Sequence, residues 1–342
     1  MLGKFCALVA AALPVLATGQ APRPGLRAEV DHPSPVMARG VPPALFTFHS
    51  NFWLNLHHFL YATARAQEGL DVTRWVSASA LADTAGFGAL SMSDQTAWRA
   101  AVAYYESTLA RRDVLFDAKM VTINNHLARL DAAPTIRSSG LDPSLVAVLE
   151  RAAPVYRRLW WSRHDAANHA WEARLRPLLA LYGDSVATEE SRAFREPWSK
   201  APLRVDMTVY ANWAGAYTTT DPPHITVSSE DPGNQDDQGL EILFHEVLHT
   251  MDDTLASALS AAFRAQGKML PRDPTHVFIF YTAGAMSQRM IPGHVPYAEK
   301  NGLWDRVADF RRALPVLQSS WQPYLDGKIT FAEAVQRYAA SF

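Results

Sequence analysis

Residues 241–253 read EILFHEVLHTMDD, and no other stretch constrains the chain as strongly. Leu240, Ile242, Leu243, Phe244, Val247 and Leu248 make the segment apolar on several sides, which reads as a buried helix. Into it are set two imidazoles, His245 and His249, and one carboxyl group, Glu246. Residues four apart lie one above the other on a helix face, so the two rings project to the same side. Burying such groups is costly unless a partner compensates. Two neutral imidazoles one turn apart can ligate a single zinc ion. Glu246 then falls beside the ion rather than on it. There it can act as general base toward a zinc-activated water, whose pKa the metal brings to about 7, and pass the proton on to a leaving amine.

The rest of the composition narrows the setting. A chain of 342 residues with 48% hydrophobic content has ample material for a core, in one large domain or two packed lobes. A net charge of -2 provides no basic field for nucleic acid. Residues 1–19 read as a signal peptide: Lys4, an apolar run over 5–17, and small residues at Ala17, Thr18 and Gly19. This places the protein in a secreted or periplasmic setting, with no stable membrane span once the signal is removed; an uncleaved anchor is the alternative. The single cysteine, Cys6, lies inside that segment. The mature chain then has no disulfide, no cysteine ligand and no cysteine nucleophile. There is no Gly-rich phosphate loop, P-loop or nucleophile elbow.

Along the chain, residues 20–43 read as an extended lead-in, 44–200 as a helical region and 201–342 as the region that carries the chemistry. Helices are expected over 44–67, from Ser93-Asp94-Gln95 to about 112, and over 117–130, 143–159 and 160–181, with Gly183 as a stop. Residues 203–210 alternate as a half-buried strand, the Thr- and Tyr-rich 214–220 and residues 224–229 also read as strands, and Asp221-Pro222-Pro223 makes a turn. A long helix over about 239–266 follows, then another over 275–290 and two or three short ones. The pattern is α+β: mostly helical, with a short antiparallel sheet just before the long helix that bears the motif.

The HExxH motif resembles that of the zincin metallopeptidases. The resemblance covers roughly residues 203 to 300, and the helical half before it matches no family. It implies a zinc-dependent hydrolase of peptide or protein substrates. It also implies that Trp213, Ala214, Gly215, Ala216 and Tyr217 form an edge strand to which an extended substrate adds by main-chain hydrogen bonds. The metzincin extension is absent, because Asp252 and Leu255 stand where a glycine and a ligand are required. Gluzincins take their third ligand from a glutamate on the next helix, but 275–290 contains none. His276, in the first turn of that helix, is therefore the favoured third ligand, with Glu299 as the gluzincin-like alternative. Asp253, four residues beyond His249, is placed to ligate or to accept the other N–H of a ligand histidine, and Asp252 less well so. Tyr281, His294 and Tyr297 are candidate donors to a developing oxyanion.

Two further groupings stand out. His49, Asn51, Asn55 and His58 form a polar stripe at helical spacing, with His57 pointing elsewhere; it either lines a cleft or is hydrogen-bonded in the core. Asp165, His169 and Glu172 share a helix face, which reads as a solvated face with local ion pairs. Two other functions fit the same motif: a zinc amidase on non-peptide or cell-wall substrates, and a non-catalytic secreted helical protein whose zinc is structural.

Overall fold

The first element departs from the expected helix over 44–67: Phe46–His49 forms a strand, β1, paired in the sheet, with α1 following at Phe52–Gln67. Asn51 separates the two by capping α1, its side chain accepting from Leu54 N at 2.9 Å. The structure, a computed structural model, describes residues 44–70, 86–131 and 133–342. The expected signal and lead-in, residues 1–43, lie outside the described residues.

Helix α2 spans Met92–Thr108 and α3 Ala118–Ala128, capped by Ser91 and Asp117 respectively. Helices α4 (Pro143–Tyr156), α5 (Ser162–Leu178) and α6 (Asp184–Phe194) are joined by wide π turns at Arg157–Trp161 and Leu179–Gly183. The backbone therefore stays helical from 143 to 194. Each wide turn follows a proline, Pro154 or Pro177, which cannot donate to the preceding turn and disturbs the hydrogen-bond ladder. Gly183 does not stop the helix. Its φ of -56° and ψ of -51° are helical, and a Cβ there would lie 3.1 Å from Leu45 Cδ1. The glycine thus serves a close approach; the helix ends at Arg195, which takes a left-handed φ of 58°.

Strands β2 (Leu203–Thr208), β3 (Ala216–Thr220) and β4 (Pro223–Ser228) complete a four-stranded sheet in the order β1-β2-β4-β3. The α+β class is as expected, but the sheet is mixed rather than antiparallel. β1, β2 and β4 run parallel; only β3 and β4, joined by the tight turn at Asp221-Pro222, are antiparallel. β3 is left as an edge strand.

The expected helix over 239–266 is two helices, α7 (Asp236–Leu248) and α8 (Asp253–Ala265). Thr250 N bonds back to Val247 O and Met251 N to Leu248 O, tightening the last turn and ending α7 at the second histidine of the motif. The chain closes with α9 (His276–Met290), the short α10 (Tyr297–Lys300) and α11 (Leu303–Arg306), then α12 (Ala308–Leu325) and α13 (Phe331–Ser341). No helix among the described residues is long and apolar enough to cross a membrane.

Two apolar cores result. One is built on α1 to α4 and takes in Tyr210 and Tyr217; the other joins the sheet, α7, α8, α9 and the C-terminal helices. They do not divide the chain near residue 200, because Phe46, Trp171 and Phe194 belong to the second core. β3 contributes to both, Tyr217 to the first and Ala216 to the second, as alternating strand residues must.

Candidate metal centre

Helix α7 is buried along its length, and His245 and Glu246 are only 3% and 5% exposed. His249 sits at the tightened end, half-buried. Helix α9 begins at His276 and delivers that ring to the same point. The ring centroids are 5.1 Å apart for His245–His249, 5.4 Å for His245–His276 and 5.1 Å for His249–His276. One ligating nitrogen from each lies within 4.8 Å of the other two, so the group can hold a metal ion.

The donor set fits such an ion. His245 Nε2 and His249 Nε2 face each other at 3.3 Å. Two nitrogens bound tetrahedrally to zinc at about 2.0–2.1 Å would stand about 3.3–3.4 Å apart. Burial, reinforced by the neighbouring His249 and His276, holds the His245 imidazole well below its usual value. It is therefore neutral, the form that ligates. His276 Nδ1 lies 3.2 Å from Asp273 Oδ2, a carboxylate placed to orient the ring, and Nε2 would then be the atom offered to an ion. Phe280 forms an apolar wall, its ring 4.0 Å from His245 and 4.9 Å from His276.

Glu246 points to the sheet. Thr218 Oγ1, on β3, lies 2.7 Å from its Oε2 and 2.8 Å from its backbone oxygen. Burial pushes the Glu246 carboxyl up to about 7, opposed by the Thr218 hydrogen bond.

The other sequence candidates fall in several places. Asp253 does not share a face with His249, because α7 stops first; it is exposed at the start of α8. Asp252 is buried instead and accepts from Thr275 Oγ1 at 2.7 Å, tying down the residue before His276. Glu299 is exposed on α10 and outside the three-histidine group. The Tyr281 hydroxyl donates to Gln322 Oε1 at 2.8 Å, so it is spent on α12 rather than held for an oxyanion. His294 is buried, its Nδ1 2.7 Å from Asp237 Oδ2 and its Nε2 2.6 Å from Glu241 Oε2. Burial alone would lower the His294 value, but these two carboxylates outweigh it and raise it. Tyr297 donates its backbone N–H to Glu241 Oε2 at 2.8 Å and stacks its ring on Phe280. His294 and Tyr297 thus clamp the N-terminal half of α7.

Of the proposed edge residues, Ala216 and Tyr217 lie in β3, while Trp213, Ala214 and Gly215 form the turn before it. Gly215 has a φ of +88°, and a Cβ there would stand 2.6 Å from Asp231 Oδ2, so only glycine fits. The Tyr217 side chain turns away from the histidines and is buried among α1 and α3.

The polar stripe on α1 is hydrogen-bonded in the core. Asn51 Nδ2 donates to Leu127 O, Asn55 Nδ2 to Met207 O, and His58 Nε2 pairs with the Tyr217 hydroxyl at 2.9 Å. His49 pairs with Asp131 at 2.7 Å. His169 and Asp165 form an exposed pair, and Glu172 pairs with Arg176.

Asp273, Phe280 and Thr218 are the site residues without a mark in the sequence reading. Asp273 was within reach, since it precedes a candidate ligand by three residues. Thr218 was not, because its role depends on how β3 packs on α7. No protein family, curated protein or solved structure matches the chain.

Proposed function

We propose that the chain is a zinc-dependent hydrolase of peptide bonds, a metallopeptidase acting after export on residues 1–19. The observation that carries this reading is a three-nitrogen group whose first ligand, His245, is followed in the chain by the buried Glu246. Structural zinc sites are closed by four protein ligands, whereas catalytic sites use three and keep a position for substrate or water. Asp253, the sequence candidate for a fourth ligand, is exposed and outside the group among the described residues.

His245, His249 and His276 would hold the metal, and Asp273 would orient His276. When bound, zinc supplies Lewis-acid activation of water and of the scissile carbonyl. Glu246 takes a proton from the attacking water and delivers it to the leaving amine, so the elements of water end divided between the new acid and the new amine. An extended substrate lies along the edge strand β3 and the turn before it, Trp213 to Tyr217.

The test is Glu246→Gln. The variant should keep its zinc and lose hydrolysis of casein by about 10²–10⁴-fold. Cell-wall fragments assayed in parallel separate a peptidase from an amidase. A zinc-loaded wild type that cleaves neither casein nor a broad peptide library would leave the histidines as a binding site only.

A further inference from the structure

We propose that Thr218 is the positioning residue for Glu246, holding its carboxyl where it meets the substrate water; this rests on the hydrolase reading above. A glutamate side chain has three rotatable torsions, and among the described residues its carboxyl takes its hydrogen bond from β3 rather than from its own helix. The partner is the Thr218 hydroxyl. It lies 2.7 Å from Oε2 and 2.8 Å from the backbone oxygen of the same residue, tying the carboxyl to its own main chain.

The backbone oxygen is available for this because α7 ends two residues later. The last carbonyls of a helix lack partners within it. Thr250 N, which would reach Glu246 O in a continued helix, bonds to Val247 O instead. The break after His249 thus frees the acceptor that Thr218 uses.

A hydroxyl suits a residue that must take up and release a proton. It donates to the carboxylate in one state. In the other it accepts from the carboxylic acid and turns its own proton to the backbone oxygen. The same contact survives both halves of the reaction. β3 is itself pinned from its other face, where the Tyr217 hydroxyl meets His58 Nε2 at 2.9 Å and accepts from Asn124 Nδ2 at 2.8 Å. The helical half of the chain thereby braces the strand that braces the base.

Thr218→Val keeps the shape and removes the hydroxyl; Thr218→Ser keeps the hydroxyl. In the full zinc-loaded chain, the valine variant should lose about 10-fold or more in kcat, within the reach of general-base catalysis. Its KM should stay within about twofold and its zinc content should not change, since no ligand is touched. The serine variant should return to within about threefold of wild type. Crystal structures of wild type and Thr218→Val give a readout that needs no turnover: the Glu246 carboxyl should leave its place in the variant. Wild-type kcat in the valine variant, equal losses in both variants, or a Glu246 carboxyl that does not move would each overturn the inference. If the wild type is inactive, or Glu246→Gln is fully active, the hydrolase reading fails instead, and the crystal comparison still decides on Thr218.

Discussion

The buried histidines of α1 and of α7 are resolved in opposite ways. On α1, His58 shares Nδ1 with Leu54 O and Nε2 with the Tyr217 hydroxyl, both at 2.9 Å. Burial holds its pKa down to about 4, so it is a neutral ring with both nitrogens in use. On α7, His245 is equally buried, but its Nε2 faces another imidazole nitrogen and its Nδ1 has no hydrogen-bond partner among the described residues. An orphan nitrogen alone does not mark a site, since His57 Nε2 also lacks one. What distinguishes α7 is convergence. Three rings from two helices turn their nitrogens to one point, an arrangement that hydrogen bonds among neutral imidazoles satisfy poorly and a cation satisfies well.

That contrast can be broken most directly with zinc itself. At a free concentration 100 times its Kd, zinc should stabilise the wild type by about 2.7 kcal/mol, read as a shift in thermal unfolding. His249→Ala should lose the shift. Tyr217→Phe should behave in the opposite way. It leaves His58 and Asn124 short of a partner, at a cost of about 1–3 kcal/mol, yet keeps the full zinc response. If Tyr217→Phe also abolished the zinc shift, the two histidine regions would not be independent.

Asp273→Asn sharpens the comparison within the metal group. It should weaken zinc by about 10–100-fold in a competition titration without removing a ligand. Unchanged affinity would mean that the Asp273–His276 pair does not orient the ring.

A smaller effect is expected at His294, a buried histidine held by carboxylates. Its folded pKa is raised, so its contribution to stability is fully present below the ordinary histidine value near 6.5 and is lost as pH rises through the raised value. The difference in melting temperature between wild type and His294→Asn should therefore shrink with increasing pH. A difference that grew with pH would contradict the clamp on α7.

Much of this was legible because local rules carried it. The spacing of His245, Glu246 and His249 in an apolar run placed three groups on one buried helix, the alternation over 203–210 marked the strand found at Leu203–Thr208, and the strand expected over 224–229 is Pro223–Ser228. Legibility failed where a residue obeyed a distant partner. Residues 46–49 read as helix because they lead into one, yet they pair with β2 more than 150 residues away. Gly183 looked like a stop, but its missing side chain makes room for Leu45. Asp253 looked like a neighbour of His249 only while α7 was imagined to continue.

By itself, then, the sequence determined the helix that bears the motif, the apolar surroundings that make its polar groups costly, and the α+β character of the chain. Those follow from periodicity and composition, which act over a few turns. The tertiary structure alone decided which group joins the two histidines and which hydroxyl holds Glu246. Each depends on where a second element packs, and the packing of α9 and β3 against α7 is set by two cores whose residues are spread over nearly the whole described chain.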